Sequence, residues 1–295
     1  MLALGAALGG LMTSSLGLRV CFILDASGYM GSVCCLLFLP QLREECHQEV
    51  AAASGASLNL GYAFQNLKKL AREFASDTIV IFNKPSLRVS LLYATMKATG
   101  GIVWGPADVL NLKWSERENL QIFSDLALTL GFSYAFVGAG CFIGPPLSNF
   151  FFDPKQEVPL LRSIIFGIGL LSAGYVFWSL AFTFWVISLG NCVRSSASAI
   201  IYIRSTIILQ LYTDRQYLGR CFALESCFYT LFNSLSTFSV GLLIDNDGMS
   251  ERQICIFLAA SAAMLSVLWW QIQIQRRRQL CSEASCYELV RGNEL

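Results

Sequence analysis

Long apolar segments alternate with short polar ones along most of the chain, and this pattern predicts a series of membrane-spanning helices. A helix needs about 20 consecutive apolar residues to cross the hydrocarbon core of a bilayer. Complete spans are predicted at 18–39, 89–112, 120–143, 160–181, 182–211, 221–244 and 254–274. Residues 1–12 are apolar but too short for a full crossing, and they lack the basic start of a signal peptide. We interpret them as the end of a helix whose beginning is missing.

Two polar segments divide the chain into regions. Residues 41–88 are charged and rich in Ala and Ser, with apolar positions at helical spacing over 58–74. This composition predicts a cytoplasmic connector that carries an amphipathic surface helix. The connector follows the remnant of an N-terminal helical bundle (1–40) and precedes a six-helix bundle (89–274). A polar tail, 275–295, follows the last span.

Composition narrows the class of protein. Of the 295 residues, 55% are hydrophobic and 14% are charged, whereas a typical soluble domain carries about 25% charged residues. A net charge of +1 without a large basic tract argues against a nucleic-acid partner. The single histidine, His47, and the absence of any Cys-x-x-Cys pair argue against a metal or redox cofactor. The sequence therefore predicts an all-α polytopic protein of the lipid bilayer that is not an enzyme and carries no cofactor.

Basic residues predict the orientation of the chain. When the connector is placed inside and the spans alternate from there, the inner segments hold 14 Lys and Arg and the outer segments hold four. Cytoplasmic loops of membrane proteins carry such an excess of basic residues. We therefore expect the connector and the C-terminus in the cytoplasm, while the sequence leaves open which membrane holds the protein.

Polar residues inside the predicted spans form two stripes. Trp104 follows Lys97 by seven residues and Asp108 follows it by 11, which places the three residues on one face of a helix. A second stripe contains Asn191 and Ser198, with Arg194 beside it. A charge at the membrane centre costs about 2.5–3.5 kcal/mol on insertion scales, so it usually faces the bundle interior or a wet cavity. The predicted substrate-cavity residues are Lys97, Trp104, Asp108, Asn191, Arg194 and Ser198.

Structural roles remain open for the same residues. Asp108 is close enough to a span end to be a solvated carboxylate, and Lys97 is equally consistent with a fixed pair with a carboxylate elsewhere. Asn and Ser side chains often hydrogen-bond between helices in membranes, which is the alternative role of the second stripe.

Two segments carry sequence motifs that resemble the major facilitator superfamily. The first motif has small residues at 6–11, Gly-Leu-Arg at 17–19 and Asp-Ala at 25–26. The second motif reads Leu-Gln-Leu at 209–211, Asp214, and Leu-Gly-Arg-Cys-Phe-Ala-Leu at 218–224. Both resemble motifs of the efflux-type branch, although Thr213 stands where Pro is usual. The loop at 144–149 lacks the Asp-Arg and basic residues of the superfamily's loop signature.

The resemblance implies a secondary active transporter that moves a small solute by alternating access, with H⁺ or Na⁺ as the coupling ion. Two six-helix bundles joined by a cytoplasmic connector form that fold, so the chain corresponds to helices five to twelve. With four helices missing, we expect the chain not to transport on its own. The substrate site would lie near the midplane, and the cytoplasmic gating-loop candidates are Asp214, Gly219, Arg220 and Glu225.

A protein of another class is the alternative. The chain could be a non-transporting multi-pass membrane protein that acts as a partner of another protein, or a receptor-like protein. A seven-span receptor is disfavoured because the basic residues place its loops on the wrong sides and no Asp-Arg-Tyr or Asn-Pro-x-x-Tyr signature is present.

Overall fold

The described part of the protein is built from helices. The computed structural model describes residues 12–13, 15–38, 68, 72, 79, 82, 87–153, 155–246 and 248–292, and these ranges contain no β-strand. The helices are α1 (Leu18–Phe38), α2 (Arg88–Trp104), α3 (Ala107–Ser115), α4 (Leu126–Phe151), α5 (Glu157–Ser179), α6 (Phe184–Tyr212), α7 (Arg215–Asp245) and α8 (Glu251–Gly292). Two short 3₁₀ turns, Glu118–Leu120 and Ile122–Ser124, connect α3 to α4.

Five helices in the described ranges are long and apolar enough to cross a membrane, namely α4 to α7 and the segment Glu251–Arg278 of α8. They correspond to the predicted spans between 120 and 274. The predicted span 89–112 is divided into α2 and α3 at Gly105-Pro106, and α2 alone has 17 residues. Proline has no backbone N–H and disfavours the helical conformation of the residue before it, which explains the break.

Several helices extend beyond the predicted spans. The segment predicted as an inner loop, 144–162, continues as helix to Phe151 although Pro145 and Pro146 lie inside it. The tail predicted as a polar extension continues α8 to Gly292, because Arg, Gln and Glu are strong helix formers. Residues 1–11 lie outside the described residues, and so does 58–74 except for the helical positions 68 and 72.

The chain forms two compact units. One contains residues 15–88, and its main described element is α1. The other combines residues 1–14 with 89–295 and therefore contains α3 to α8 and nearly all of α2. This second unit, called here the helical bundle, holds every predicted site residue.

Glycines allow α4 and α6 to pack closely. A side chain at Gly140 would lie 2.2 Å from the carbonyl oxygen of Cys192, and one at Gly144 would lie 2.4 Å from that of Ser196. The Ser196 hydroxyl also donates a hydrogen bond to the Gly140 carbonyl (2.9 Å). Glycines four residues apart let helix backbones approach in membranes, where apolar surface alone does not drive association.

Ion pairs and hydrogen bonds join the helix ends at the two extremes of the bundle. At one end, Arg117 lies 2.5 Å from Glu251, and Arg252 donates to the Ala181 carbonyl (3.1 Å). At the opposite end, Glu157 accepts from Arg276 (2.8 Å) and is also bonded to the Tyr93 hydroxyl. The helices from α4 to α8 thus run alternately between the Glu251 end and the Glu157 end.

Candidate functional site

A polar pocket lies halfway along the helices of the bundle. It has a volume of about 200 Å³. The lining residues come from α2 to α4, α6 and α7: Trp104, Gly105, Ala107, Asp108, Val137, Cys141, Arg194, Ser195, Ser198, Tyr229 and Asn233. Ser198 is the central residue of α6, and Tyr229 is next to the centre of α7. Of the predicted cavity residues, the pocket brings together Trp104, Asp108, Arg194 and Ser198.

Arg194 is the buried cation of this pocket. Arg194 lies on α6 against Gly174 of α5, and the residue is 5% exposed. One guanidinium nitrogen donates to the Asn191 side-chain oxygen (3.2 Å), and the guanidinium carbon lies 5.1 Å from the centre of the Trp178 ring. Nε has no hydrogen-bond partner among the described residues. Within that part of the chain, no carboxylate lies within 4.0 Å of the guanidinium.

Asn191 fixes one side of Arg194 and does not line the pocket. Its side-chain nitrogen donates to the Ser133 hydroxyl (2.6 Å) and to the Asn111 side-chain oxygen (3.1 Å). Ser133 donates to the same Asn111 oxygen (2.6 Å). This buried network joins α3, α4 and α6, so the structure gives Asn191 the interhelical role that was the alternative to a cavity role.

The pocket wall also carries a carboxylate and two aromatic rings. Asp108 is exposed and accepts a hydrogen bond from the Tyr134 hydroxyl (2.8 Å). The rings of Trp104 and Tyr229 lie 5.5 Å apart in a tilted arrangement. Gly105 allows this wall to form, because a side chain there would lie 2.6 Å from the Asn233 carbonyl oxygen. The pocket is therefore lined by one cation, one anion and an aromatic surface.

Lys97 lies outside the pocket in a separate buried ion pair. Its ammonium is 3.3 Å from Glu225, and the two side chains are 6% and 1% exposed. The ammonium also lies 3.4 Å from the Thr206 hydroxyl and 3.6 Å from the centre of the Tyr202 ring. The pair joins α2 to α7. Glu225 is thus the fixed carboxylate partner that the sequence analysis gave as the alternative role for Lys97.

A third buried cation was not among the predicted site residues. Arg204 donates to the Ser148 hydroxyl (3.1 Å) and to the Asn149 side-chain oxygen (2.6 Å), and it joins α6 to the end of α4. The sequence signal was available, because an arginine inside the predicted span 182–211 requires polar partners. Ser148 and Asn149 were interpreted as part of a loop, which hid this pairing.

The gating-loop candidates do not form one cluster. The connection between α6 and α7 consists of Thr213 and Asp214, and α7 begins at Arg215. Asp214 precedes the first turn of α7 without a side-chain capping bond, and Gly219 lies in helix with open space around it. Arg220 is exposed, with its guanidinium carbon 5.9 Å from the centre of the Tyr217 ring. Glu225 is buried against Lys97 and does not accompany the other three.

The described residues include no group of three or more His, Cys, Asp or Glu side chains that could hold a metal ion. No family model, no curated protein and no solved structure matches the chain. The class is therefore defined by the fold itself. The part of the chain that the structure describes is all-helical, and its five helices of membrane-spanning length and composition indicate an integral, multi-pass membrane protein.

Proposed function

We propose that this protein is a secondary active transporter of the major facilitator type, from the efflux branch, that moves a small solute by alternating access. The observation that carries the proposal is the pocket halfway along the helices, where Arg194 and Asp108 line one cavity. A charged side chain near the middle of a membrane helix marks a substrate or ion path by default. Substrate sites of transporters lie near the bilayer midplane.

The packing of the other polar residues supports the same proposal. Lys97 and Arg204 make polar contacts with side chains of neighbouring helices and lie outside the pocket lining. Arg194 lines the cavity, and its neighbours Asn191 and Trp178 are neutral. The motifs around Asp214 and Gly219 add the family resemblance, which also implies H⁺ or Na⁺ as the coupling ion and an orientation with the connector and C-terminus in the cytoplasm.

Alternating access predicts that the pocket opens to each side of the membrane in turn. The test uses Ser198→Cys in a cysteine-depleted, full-length version of the protein reconstituted in vesicles, with an impermeant maleimide added from one side or the other. We expect time-dependent labelling from both sides. Ser188→Cys, on the same helix but fully buried and outside the pocket lining, is the matched control and should stay unlabelled.

The rival function makes the opposite prediction. A non-transporting partner or receptor-like protein has no need to expose this pocket to both sides, so Ser198→Cys would label from one side or from neither. Uptake of a panel of radiolabelled small solutes into the same vesicles gives the second readout. Saturable uptake supports transport, whereas one-sided labelling without uptake of any solute contradicts it.

A further inference from the structure

We infer that the pocket binds a small zwitterion, with a carboxylate on Arg194 and a protonated amine at Asp108 against the Trp104–Tyr229 wall. This inference names the substrate class of the pocket and rests on the proposed function for its role in transport. Its binding chemistry follows from the pocket itself, which is lined by one positive and one negative side chain.

The carboxylate end follows from the state of the Arg194 guanidinium. A guanidinium stays charged in proteins and presents its donors in a planar fork that matches a carboxylate. This one is 5% exposed, donates a hydrogen bond to the Asn191 side chain and leaves Nε without a partner in the described ranges. Lys97 has a carboxylate partner, and Arg204 donates to Ser148 and Asn149 but also leaves one nitrogen, Nη1, without a partner among the described residues. Of these three cations, Arg194 is the one that lines the pocket, so a ligand carboxylate bound there can pair with its guanidinium.

The amine end follows from the wall that holds Asp108. This carboxylate is exposed and accepts one hydrogen bond, from Tyr134, so it retains capacity for a further donor. The rings of Trp104 and Tyr229 line the same pocket, and an ammonium over an aromatic face is attracted by the ring. A ligand with a single negative charge would leave Asp108 as a repulsive neighbour in the same pocket. A zwitterion presents a carboxylate to Arg194 and an ammonium to Asp108, so both charged residues of the pocket gain a partner.

The size of the pocket favours a small ligand. About 200 Å³ is below the roughly 300–1,000 Å³ of sites that enclose drug-sized molecules. Val137 and Cys141 supply apolar lining in the same pocket, which suits a short hydrocarbon side chain. Amino acids of ordinary size have this combination of a carboxylate, an amine and an apolar group.

The test measures binding to the purified chain with three sets of probes. Each set contains an amino acid, the same molecule without its amine, and the same molecule without its carboxylate. The first set is leucine, 4-methylpentanoate without the amine, and 3-methylbutylamine without the carboxylate. Alanine, propionate and ethylamine form a second set, and phenylalanine, 3-phenylpropionate and 2-phenylethylamine form a third. Binding is measured by calorimetric titration and by the ligand-induced shift in unfolding temperature. We expect at least one amino acid to bind at least about tenfold more tightly than both partners of its set.

Two substitutions assign the ends of the ligand. Arg194→Gln should weaken binding of the amino acid by about 30-fold or more, as expected when one partner of a buried charge pair is truncated. Asp108→Asn should abolish the preference for the amino acid over its matched carboxylate while the carboxylate still binds. Loss of that preference is a readout that a structural role of Asp108 would not produce.

Matched controls separate binding from folding. Arg204→Gln removes another buried arginine that does not line the pocket, and Asp153→Asn neutralises another exposed aspartate. Both should retain wild-type affinity. Arg194→Lys keeps the charge without the planar fork and should bind more weakly than wild type but more tightly than Arg194→Gln.

The results that overturn the inference are distinct from those that overturn the proposed function. Failure of all three amino acids to bind, equal affinity for the amino acid and its matched carboxylate, or unchanged affinity in Arg194→Gln each overturns the zwitterion site. If the site fails while saturable solute uptake persists, the transporter proposal stands. If an amino acid binds as expected while Ser198→Cys labels from one side and no solute is taken up, the transporter proposal fails and the binding site stands.

Discussion

Three cationic side chains lie inside the helical bundle, and the structure stabilises each of them differently. Lys97 has a carboxylate partner, Arg204 has hydroxyl and amide oxygens, and Arg194 has an amide oxygen and an aromatic ring. Removing a charge from water is costly unless a partner compensates for the lost hydration. Of the three, Arg194 is the one that lines the pocket, and for that reason it is the proposed binding residue.

The buried pair of Lys97 and Glu225 provides the first prediction at this scale. Replacing one member leaves the other charge buried alone, so Lys97→Met or Glu225→Gln should each destabilise the protein by about 3–5 kcal/mol. The double variant should recover much of that loss, because it buries no unpaired charge. Unfolding of the detergent-solubilised protein, arranged as a double-mutant cycle, measures both effects.

An exposed pair is the control for that cycle. Lys113 lies in the last turn of α3, and Glu116 directly follows that helix. The two charged groups are 3.2 Å apart and exposed, and exposed pairs of this kind contribute about 0–1 kcal/mol. A coupling for Lys97 and Glu225 no larger than that of the surface pair would contradict the structural role assigned to them.

Asn191 provides a second residue-scale prediction. Asn191→Ala removes the partner of Ser133, Asn111 and Arg194 and leaves buried polar groups unsatisfied. The expected loss is about 1–3 kcal/mol in the free energy of unfolding. Ser188→Ala is the matched control, because the Ser188 hydroxyl is buried without a hydrogen-bond partner among the described residues and its removal should be nearly neutral. Equal losses in the two variants would contradict the network.

At the scale of the helices, glycine positions determine how closely the backbones pack. Gly144→Ala would place a methyl group 2.4 Å from the Ser196 carbonyl oxygen, so α4 and α6 must separate. We expect a loss of about 1–3 kcal/mol in thermal unfolding experiments, the usual cost of overpacking. The same separation would disturb the Arg204 bonds to Ser148 and Asn149.

Gly219→Ala is the control for this prediction. Gly219 lies inside α7 with no atom within 4 Å of the added methyl group. Alanine is favoured over glycine in a helix interior by about 1 kcal/mol, so this variant should be as stable as wild type or slightly more stable. If Gly144→Ala were as well tolerated as Gly219→Ala, the close approach of α4 and α6 would be wrong.

The lengths of the apolar segments predicted the main helices, because length and apolar content are local properties. The segments 120–143 and 254–274 correspond to parts of α4 and α8, but their ends were misjudged. Residues 144–149, with Gly144, Pro145 and Pro146, were interpreted as a loop, but α4 continues through them to Phe151 against their low helix propensity. Residues 275–292 were interpreted as a polar tail, whereas their Arg, Gln and Glu residues have high helix propensity and continue α8. The break at Gly105-Pro106 divides the predicted span 89–112, because proline disfavours the helical conformation of the residue before it.

The sequence predicted the candidate site only in part, because residue spacing describes one helix and not its contacts with other helices. Helical spacing placed Lys97 and Asp108 on one face, but the break at Gly105-Pro106 interrupts the single helix that this spacing assumed. Which carboxylate meets Lys97 depends on how α7 packs against α2, and spacing within one span contains no information about that contact. Arg194 and Ser198 were placed at the pocket because both lie on the stable, unbroken α6.

At the scale of the whole molecule, the positions of the basic residues predict which end of the bundle faces the cytoplasm. Buried cations occupy the interior, whereas the Glu157 end carries Arg276 to Arg278 and the Glu251 end carries Lys113, Arg117 and Arg252. The connector, residues 41–88, adds six further Lys and Arg residues on the side predicted to be cytoplasmic. Because cytoplasmic segments retain basic residues, the Glu157 end is the one we expect to face the cytoplasm.

The orientation can be measured with one cysteine at each end of the bundle. Lys113→Cys and Arg278→Cys are introduced separately into a cysteine-depleted chain, and intact cells are treated with an impermeant maleimide. We expect Lys113→Cys to label from outside, whereas Arg278→Cys should label only after the membrane is permeabilised. Lys69→Cys, in the connector, should behave like Arg278→Cys because both segments are predicted on the inner side. Labelling of Arg278→Cys but not Lys113→Cys in intact cells would reverse the orientation. Labelling of Lys69→Cys and Arg278→Cys on opposite sides would contradict the predicted number of crossings between them.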